Sequence, residues 1–467
     1  MIQMIAQSEA SEQQIASVTQ RFAKKFRVGS LLRRCNAGKQ KGIPVVRVFL
    51  AVLAVVFSGC SMYLNQRLGK WTERMSKNTV YRFLNDSRIN WERMTLETAV
   101  RAAEFLAPLT SEERTNVLIV DDTIYTRDRS KQSELLSRVY DHNEKKYHNG
   151  YRTLVVGWSD GNTFIPVSAC LLASSNEDLI VGPVSKHDGR TLAARRRLRA
   201  QTKGTDVTLD MVHAATKAGL PAQHVLFDSW FFSRSTATSL WDRDGLYVIA
   251  MAKKSNMKYR VVTEDGARMM TARQIYRENR KRPGRSRWLL SVEAELSEDE
   301  NTPGLPVRLV FVRNRNRRKD WLVLACTDMS LPEDEIIRLY GKRWQIETFF
   351  KVCKQYLRLT NECHSLSYDA LTAHLCIVLC RYVMLAIEQR SCADQRTLGE
   401  LFRFAVDELR DITLAQALIY IMRQLASCDA ASKVDSTDAA SAHLDEFIDQ
   451  LPAGVRRALT CMTQRCA

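Results

Sequence analysis

Two short apolar runs that end in acidic residues constrain the fold of this chain most strongly. Residues 117–122 read VLIVDD, and residues 224–228 read HVLFD. Runs of this length that are rich in Val, Ile and Leu favour β-strands. We therefore expect two strands, each ending in a carboxylate.

The segments between and after these runs predict a mixed sheet. The turn SDGN at residues 159–162 separates two apolar runs and predicts a hairpin of residues 154–158 and 164–172. An Arg-rich helical region follows, and residues 229–241 and 246–251 read as a helix and a strand. This order of strand, hairpin, helix, strand, helix and strand is typical of an α/β fold.

The pattern breaks at residues 254–320, which are rich in Lys and Arg. Apolar runs at residues 288–292 and 307–312 read as strands, so we interpret this part as a basic, β-rich insertion. Residues 321–327 (WLVLACT) read as a further strand.

Helical patterns flank these segments on both sides. Residues 1–114 and 359–467 carry apolar residues at helical spacing, with a polar loop near residues 432–441. Ser76 can cap a short helix whose first turns are polar and basic. Such a helix is typical of DNA recognition, and equally of an ordinary capped helix; its polar residues are Lys77, Asn78, Thr79, Tyr81 and Arg82.

Charge and composition indicate the kind of partner and compartment. The formal net charge is +17 and the sequence pI is about 9.4, which favours nucleic acid as the partner, although a basic protein can also be merely soluble. The 12 Cys residues lie mostly in apolar runs without zinc-type spacing and read as buried thiols. The apolar runs at residues 48–57 and 370–387 are too short or too interrupted to span a bilayer and read as buried helices. With no apparent signal peptide, we expect a cytoplasmic, nucleoid-associated protein without a membrane partner.

Residues 339–357 (LYGKRWQIETFFKVCKQYL) look helical throughout and carry four polar groups at helical spacing. Tyr340, Arg343, Glu347 and Lys354 return to one face at about 100° per residue. A carboxylate flanked by cations suits a site where the acid holds a divalent ion and the bases hold phosphate oxygens. The alternative is a solvated face with helix-spaced charge pairs.

Three acids far apart in sequence form a candidate catalytic set. Asp121 and Asp228 end two strands of the expected sheet, and Glu347 lies on the helix after the insertion. Three converging carboxylates can bind two Mg²⁺ ions, with Mn²⁺ able to substitute, because hard cations prefer oxygen ligands. Two such ions can support in-line phosphoryl transfer. Each acid taken alone is better explained as a helix cap or a strand-end turn residue.

The polar spacing on this helix resembles the Y-(2)-R-(3)-E-(6)-K signature of DDE insertion-sequence transposases at every position, with the residues Tyr340, Arg343, Glu347 and Lys354.

Two other stretches, residues 117–123 (VLIVDDT) and 224–232 (HVLFDSWFF), resemble the first and second Asp strands of that family. The resemblance covers about residues 115–358 and implies an RNase H-like core interrupted by a β insertion. Family members have the first Asp two residues before a Ser or Thr, which favours Asp121 over Asp122.

The resemblance also implies an activity and partners. It implies Mg²⁺-dependent cut-and-paste transposition by a synaptic homodimer acting on double-stranded DNA, at terminal inverted repeats and at the target. Arg343 and Lys354 would hold phosphates near the cut, and Tyr340 would contact the DNA backbone.

The family also stacks an aromatic residue on a flipped base. Trp288 and Trp230 are candidates here, although both also read as core residues. Tyr147, His148 and Arg152 are further candidates for DNA contact.

The implied organisation has five parts. They are a helical DNA-binding domain (1–114), the first part of an RNase H-like core (115–253), the basic β-rich insertion (254–320), the catalytic Glu helix of the core (321–358) and a C-terminal helical domain expected to support dimerisation (359–467). Two alternatives to a transposase remain open: a non-catalytic DNA-binding protein derived from one, and an RNase H-like nuclease without strand transfer.

Overall fold

A computed structural model describes most of the chain before residue 407. The described residues are 18–39, 41–58, 61–67, 75–111, 114–142, 144–254, 257–264, 266–282, 286–314, 320–391, 397–398, 400–403 and 406. They fall into two compact units. One comprises the described parts of Met1–Ser30, Lys39–Val80 and Ser391–Ala467, and the other those of Leu31–Gly38 and Tyr81–Arg390.

The first unit is helical where it is described. Its helices are α1 (Val18–Lys25), α2 (Val28–Arg34), α3 (Val45–Val55), α4 (Met62–Arg67) and α5 (Lys77–Leu84). The last residues of α2 and of α5 belong to the second unit. Helix α5 begins directly after Ser76, whose hydroxyl accepts a hydrogen bond from the Thr79 N–H at 3.4 Å, as the capping pattern predicts. The predicted helices and polar loop beyond residue 406 lie outside the described residues, and the five predicted domain boundaries stay predictions.

The second unit is built on a mixed sheet that has eleven strands within the described residues. The strands are β1 (Val117–Thr126), β2 (Ser137–Asp141), β3 (Lys146–Ser159), β4 (Phe164–Leu172), β5 (His224–Phe227), β6 (Tyr247–Met251), β7 (Lys258–Thr263), β8 (Gly266–Thr271), β9 (Trp288–Leu296), β10 (Leu305–Arg313) and β11 (Trp321–Cys326). Their spatial order is β2-β3-β1-β5-β6-β11-β10-β9-β7-β8, with β4 also paired to β3.

The half of the sheet that carries the predicted acids is β4-β3-β1-β5-β6. Here β4, β3 and β1 pair antiparallel, while β1, β5 and β6 pair parallel. The predicted hairpin of residues 154–172 is confirmed as β3 and β4. This mixed α/β architecture is consistent with an RNase H-like DDE domain.

The segment predicted to be a β-rich insertion contains strands β7 to β10, and these strands extend the main sheet. Strand β11 pairs with β6 on one side and with β10 on the other, and β9 and β7 follow outward. Sequence analysis missed a short helix inside this insertion, α10 (Ala272–Glu278), which starts in a capping box formed by Thr271 and Gln274.

The remaining helices of the second unit lie before, between and after the strands. They are α6 (Trp91–Leu106), α7 (Leu192–Ala200), α8 (Gly204–Lys217), α9 (Arg234–Asp244), α11 (Glu333–Gly341), α12 (Trp344–Gln355) and α13 (Tyr368–Ser391). Asn90, Thr191 and Ser233 each accept a hydrogen bond from a first-turn N–H and so fix the starts of α6, α7 and α9.

Helix α13 corrects one expectation. At 24 residues it is long and apolar enough to cross a bilayer, whereas sequence analysis judged residues 370–387 too interrupted. Its apolar stretch is completely buried inside the protein, as expected for a core helix. The Arg381 guanidinium within it is buried and donates to the Glu362 carboxylate at 2.6 Å and 2.9 Å, so the charge is paired.

The prediction that residues 339–357 form one continuous helix is wrong. Helix α11 ends at Gly341 and α12 begins at Trp344, with a turn at Lys342 and Arg343. In this turn the Arg343 N–H bonds to the Tyr340 carbonyl, and the pattern changes to bonds that span three residues. The four polar groups therefore belong to two helices and the turn between them.

Candidate active site

The strand register brings two of the predicted acids level with each other. Strands β1 and β5 are parallel neighbours, with Val117 opposite His224 and Ile119 opposite Leu226. Continuing this register by two residues brings Asp121 of β1 opposite Asp228, which directly follows β5. The expectation that both strands end in an acid is correct for β5, which Asp228 directly follows, and wrong for β1, which continues past Asp121 to Thr126 because its pairing with β3 runs on to that residue. Asp121 therefore lies in the middle of β1, beside the carboxyl end of β5.

The neighbouring acids of β1 point to different partners because successive side chains on a strand face opposite sides. The Asp121 carboxylate accepts a 2.8 Å hydrogen bond from the Arg343 guanidinium, and it faces α12. The Asp122 carboxylate forms a 3.1 Å ion pair with Arg152 of β3. Thus Asp121 shares the side of the sheet with the helix that carries Glu347, and Asp122 does not.

Arg343 joins the third predicted acid to the first. One guanidinium nitrogen donates to Asp121 Oδ2 at 2.8 Å and another donates to Glu347 Oε1 at 2.6 Å. Glu347 lies in the first turn of α12, four residues after Arg343. Two carboxylates from distant parts of the chain are therefore held within the span of one guanidinium.

Burial dominates the titration of the acids on β1. It raises the pKa of Asp121 to about 6; the charges of Asp122 and Asp228 add to this rise, while Arg343 opposes it. Burial likewise raises the pKa of Asp122, against the attraction of Arg152. A set of half-buried oxygen donors with excess negative charge fits a divalent cation, which would stabilise the ionised carboxylates.

The two other predicted DNA-binding residues border the same acids. The Lys354 ammonium donates to the Thr123 hydroxyl at 2.6 Å, and burial lowers the pKa of Lys354. Thr123 and Asp121 lie on the same side of β1, so Lys354, in the last turn of α12, contacts the side of β1 that carries Asp121. The Tyr340 hydroxyl is buried and makes no hydrogen bond of good geometry with a described residue, and burial raises its pKa to about 12.

A cleft of about 330 Å³ opens over the middle of β1 and the end of β5. Its lining combines the acids of these strands with cations and aromatic rings. The lining residues are Asp121, Asp122, Thr123, Ile124, Tyr140, Asp141, His142, Arg152, Asp228, Trp230, Phe231 and Lys354.

Trp230 stands at this cleft with its ring largely in solvent. It is 56% exposed, so its interpretation as a core residue is wrong. Its backbone N–H donates to the Asp228 carboxylate at 2.5 Å, and the Arg152 guanidinium lies 5.5 Å from its ring centre. The other candidate, Trp288, is half-buried at the start of β9, with the Arg282 guanidinium 3.4 Å from its ring centre.

Sequence analysis missed the contribution of β2 to the cleft. The polar, basic segment between residues 123 and 150 was not predicted to contain a strand, whereas β2 and β3 pair there and bring Tyr140, Asp141 and His142 to the lining. In residues 137–141 (SRVYD) the apolar Val139 is flanked by more polar residues, and this short alternation indicates a strand only weakly.

The β2–β3 hairpin also holds a group of two acids and a histidine that the sequence did not predict as a cluster, although His148 was a candidate for DNA contact. The donor atoms of Asp141, Glu144 and His148 lie within 4.8 Å of one another. Glu144 is already paired with Lys146 at 2.5 Å, and His148 with Asp128 at 2.8 Å. The cluster is therefore largely neutralised by its own neighbours. Tyr147, the neighbour of His148 in the predicted DNA-contact group, is 54% exposed.

Comparison with known families agrees with this architecture. The sequence profile of the DDE superfamily endonucleases matches residues 64–301, which is just over half of the chain. The chain belongs to the DDE superfamily endonucleases. The matched segment includes Asp121 and Asp228 and ends before Glu347. No curated protein matches the chain.

Membership of this family supports the general biochemical predictions of a nuclease, a divalent metal and a nucleic-acid substrate. DDE superfamily endonucleases are transposase-type nucleases that use divalent metals and act on nucleic acid. A nuclease function on a nucleic-acid substrate is therefore supported for this chain.

Proposed function

We propose that this protein is a transposase of the Y-(2)-R-(3)-E-(6)-K signature family that moves an insertion sequence by a cut-and-paste route. The observation that carries the proposal is the joint contact of Arg343 with Asp121 and Glu347. It supports a single site assembled from β1, the end of β5 and the turn into α12.

In this proposal Asp121, Asp228 and Glu347 hold two Mg²⁺ ions, with Mn²⁺ able to substitute. When bound, such ions activate the attacking oxygen and stabilise the leaving oxygen of phosphoryl transfer. Asp121 is preferred to Asp122 as the first ligand, because Asp122 points to Arg152 instead of α12.

The cations of the site would orient the DNA. Arg343 can present a planar guanidinium to a phosphate once the acids bind metal, because a guanidinium matches two phosphate oxygens. Lys354, held by the Thr123 hydroxyl, offers a second positive charge on the same side of β1. The buried Tyr340 hydroxyl is a third candidate donor, toward the DNA backbone.

The expected partners follow from the same proposal. The protein acts on double-stranded terminal inverted repeats and on target DNA, as a homodimer in the synaptic complex, in the cytoplasm and near the nucleoid. The helix after Ser76 exposes Lys77, Asn78, Tyr81 and Arg82, which supports a role in DNA binding.

Joining of DNA ends tests the transposase proposal against its alternatives. Labelled duplexes that end in the element's terminal repeat, either intact or already cut to a free 3′-hydroxyl, are incubated with Mg²⁺ and a target plasmid. We expect nicking of the intact duplex and joining of the cut duplex, both abolished by EDTA. Nicking without joining would favour an RNase H-like nuclease, and binding without either reaction would favour a non-catalytic DNA-binding protein.

A further inference from the structure

Helix α10 of the insertion carries a strongly basic outer side. Arg273 and Arg277 lie one turn apart and are exposed, and Arg280 is exposed just beyond the helix end. We call these three residues the arginine face. None of the three guanidinium groups of the arginine face forms an ion pair or a side-chain hydrogen bond with the described part of the chain. Three cations left unneutralised by the fold create a local positive potential that favours a polyanion.

The opposite side of α10 is fixed to the sheet. Ala272 and Ile275 are fully buried. The Tyr276 ring stacks on the Trp321 ring of β11, with ring centres 4.6 Å apart and planes at 20°. The arginine face is therefore carried by a packed element, and its position is set before any ligand binds.

Alternating cations and aromatic rings connect α10 to the cleft. Lys281 lies 4.7 Å from the Tyr276 ring centre. Lys254, whose ammonium is paired with the Asp320 carboxylate at 2.5 Å, lies 4.7 Å from the ring centre of Trp321. The Arg273 N–H also donates to the Lys254 carbonyl at 3.1 Å.

The residue before Lys254 completes the connection. The Lys253 ammonium lies 6.0 Å from the ring centre of Trp230, the exposed tryptophan that lines the cleft. Interleaved cations and rings are typical of surfaces that follow a nucleic-acid strand without reading its sequence.

From this continuity we infer that the arginine face binds the phosphate backbone of the DNA that extends out of the cleft. The inference rests on the proposed function, because it assigns the cleft to a DNA strand. The contact is to phosphates and not to base edges, so it adds affinity for any sequence and acts on DNA longer than the cleft itself holds.

Binding of two duplex lengths at several salt concentrations tests the inference. The test variant is Arg273→Ala with Arg277→Ala, since alanine preserves the helix. The matched control, Arg195→Ala with Lys217→Ala, removes the same charge from exposed positions of α7 and α8. Fluorescence anisotropy measures the affinity of each protein for duplexes of roughly one and three helical turns.

We expect the test variant to bind the long duplex more weakly and the short duplex as the wild type does. Its plot of log affinity against log salt for the long duplex should be shallower by roughly 0.9 per lost phosphate contact, or about 2 in total. The control should keep the wild-type slope. Equal slopes for the test variant and the control, or equal losses on both duplexes, would overturn the inference.

A failure of the proposed function would be seen in the nicking and joining assay and not in the comparison of duplex lengths. A wild-type protein that neither nicks nor joins DNA would contradict the proposed function. The comparison of duplex lengths measures binding alone and would still decide whether the arginine face contacts phosphates.

Discussion

Arg343 holds Asp121, which lines the cleft, and Glu347 at once, at 2.8 Å from Asp121 and 2.6 Å from Glu347. In the metal-free protein the guanidinium supplies the positive charge that these carboxylates require. A divalent ion bound to the same oxygens would compete with it. Metal binding and release of Arg343 toward a phosphate are therefore expected to be coupled.

Replacing Arg343 with alanine should separate its two roles. We expect Arg343→Ala to bind Mn²⁺ more tightly, by up to about tenfold or ~1.4 kcal/mol, because a competing cation is lost. The same variant should bind DNA more weakly, because a phosphate partner is lost. Calorimetric titration with Mn²⁺ and DNA-binding assays measure the two effects.

Arg152→Ala is the matched control for metal binding, because Arg152 pairs with Asp122 instead of Asp121. We expect it to leave Mn²⁺ affinity near that of the wild type. An equal increase of Mn²⁺ affinity in Arg343→Ala and Arg152→Ala would argue against a specific role of Arg343 in metal binding.

The buried Asp121 should make the stability of the metal-free protein depend on pH. Its pKa rises from 3.8 to about 6 on folding, so the folded state binds more protons between these values. The free energy of unfolding should therefore fall as pH rises through this window, by at most about 3 kcal/mol at ~1.4 kcal/mol per pKa unit. Urea unfolding in EDTA on either side of the window measures the change.

Asp121→Asn removes the titrating group and should flatten this part of the stability profile. The comparison of profiles, rather than of absolute stabilities, isolates the carboxyl, since the variant also alters the contact with Arg343. An unchanged pH dependence in Asp121→Asn would mean that Asp121 titrates normally in the folded protein.

Among the elements, β1, β5 and α12 define the site, and the sequence predicted their types well. Short apolar runs that end in acids indicated β1 and β5, because burial on both sides of a central strand leaves a clear apolar pattern. The sequence did not predict the break between α11 and α12. Gly341, the last residue of α11, was a weak signal of the break, whereas Lys342 and Arg343 keep helical backbone angles and carry no such signal.

Two other elements, β2 and α10, were not predicted from the sequence, for different reasons. Strand β2 is short and polar, and its pairing with β3 depends on tertiary contacts and not on an apolar run. Helix α10 covers seven residues, which is too short for a helical period to stand out within a basic segment.

A buried network ties α7 and α13 to the segment before β2. The Arg197 guanidinium donates to Glu134 at 2.6 Å and 2.8 Å and to Asp369 at 2.9 Å. We expect Arg197→Ala to lower the free energy of unfolding by about 3–5 kcal/mol, because the buried Glu134 carboxylate loses a guanidinium partner, while Asp369 retains its ion pair with Arg196. Denaturant unfolding measures this loss.

The exposed pair of Asp188 and Arg190 offers the control for this network. Replacing both with alanine should leave stability unchanged, since solvent screens the pair. If both changes lowered the free energy of unfolding by the same amount, burial of the Arg197 network would add nothing to stability.

At the scale of the whole molecule, the insertion lengthens the sheet that carries the site. Strand β11 joins the two halves through its pairing with β6 and β10, and α10 packs on β11 through Tyr276 and Trp321. The basic surface of the insertion is thereby fixed relative to the cleft within one compact unit. The sequence predicted the insertion and its charge, while the shared sheet depends on long-range pairing that no local pattern encodes.

The net charge of +17 should make DNA binding independent of catalysis and sensitive to salt. We expect Glu347→Gln to bind unrelated duplex DNA as the wild type does at low salt. Both proteins should lose affinity together as salt rises, because released counterions drive this binding. Anisotropy titrations across salt concentrations check the expectation, and a large loss of binding in Glu347→Gln at low salt would contradict it.

The most direct test of the proposed triad is Mg²⁺-dependent nicking of one labelled terminal-repeat duplex by matched proteins. The proteins are the wild type, Asp121→Asn, Asp122→Asn, Asp228→Asn and Glu347→Gln, compared at DNA concentrations that saturate binding. We expect nicking to fall by orders of magnitude in the three triad variants and to persist in Asp122→Asn, while all five proteins bind DNA. Nicking by Glu347→Gln at the wild-type rate, or its loss in Asp122→Asn with retention in Asp121→Asn, would contradict it.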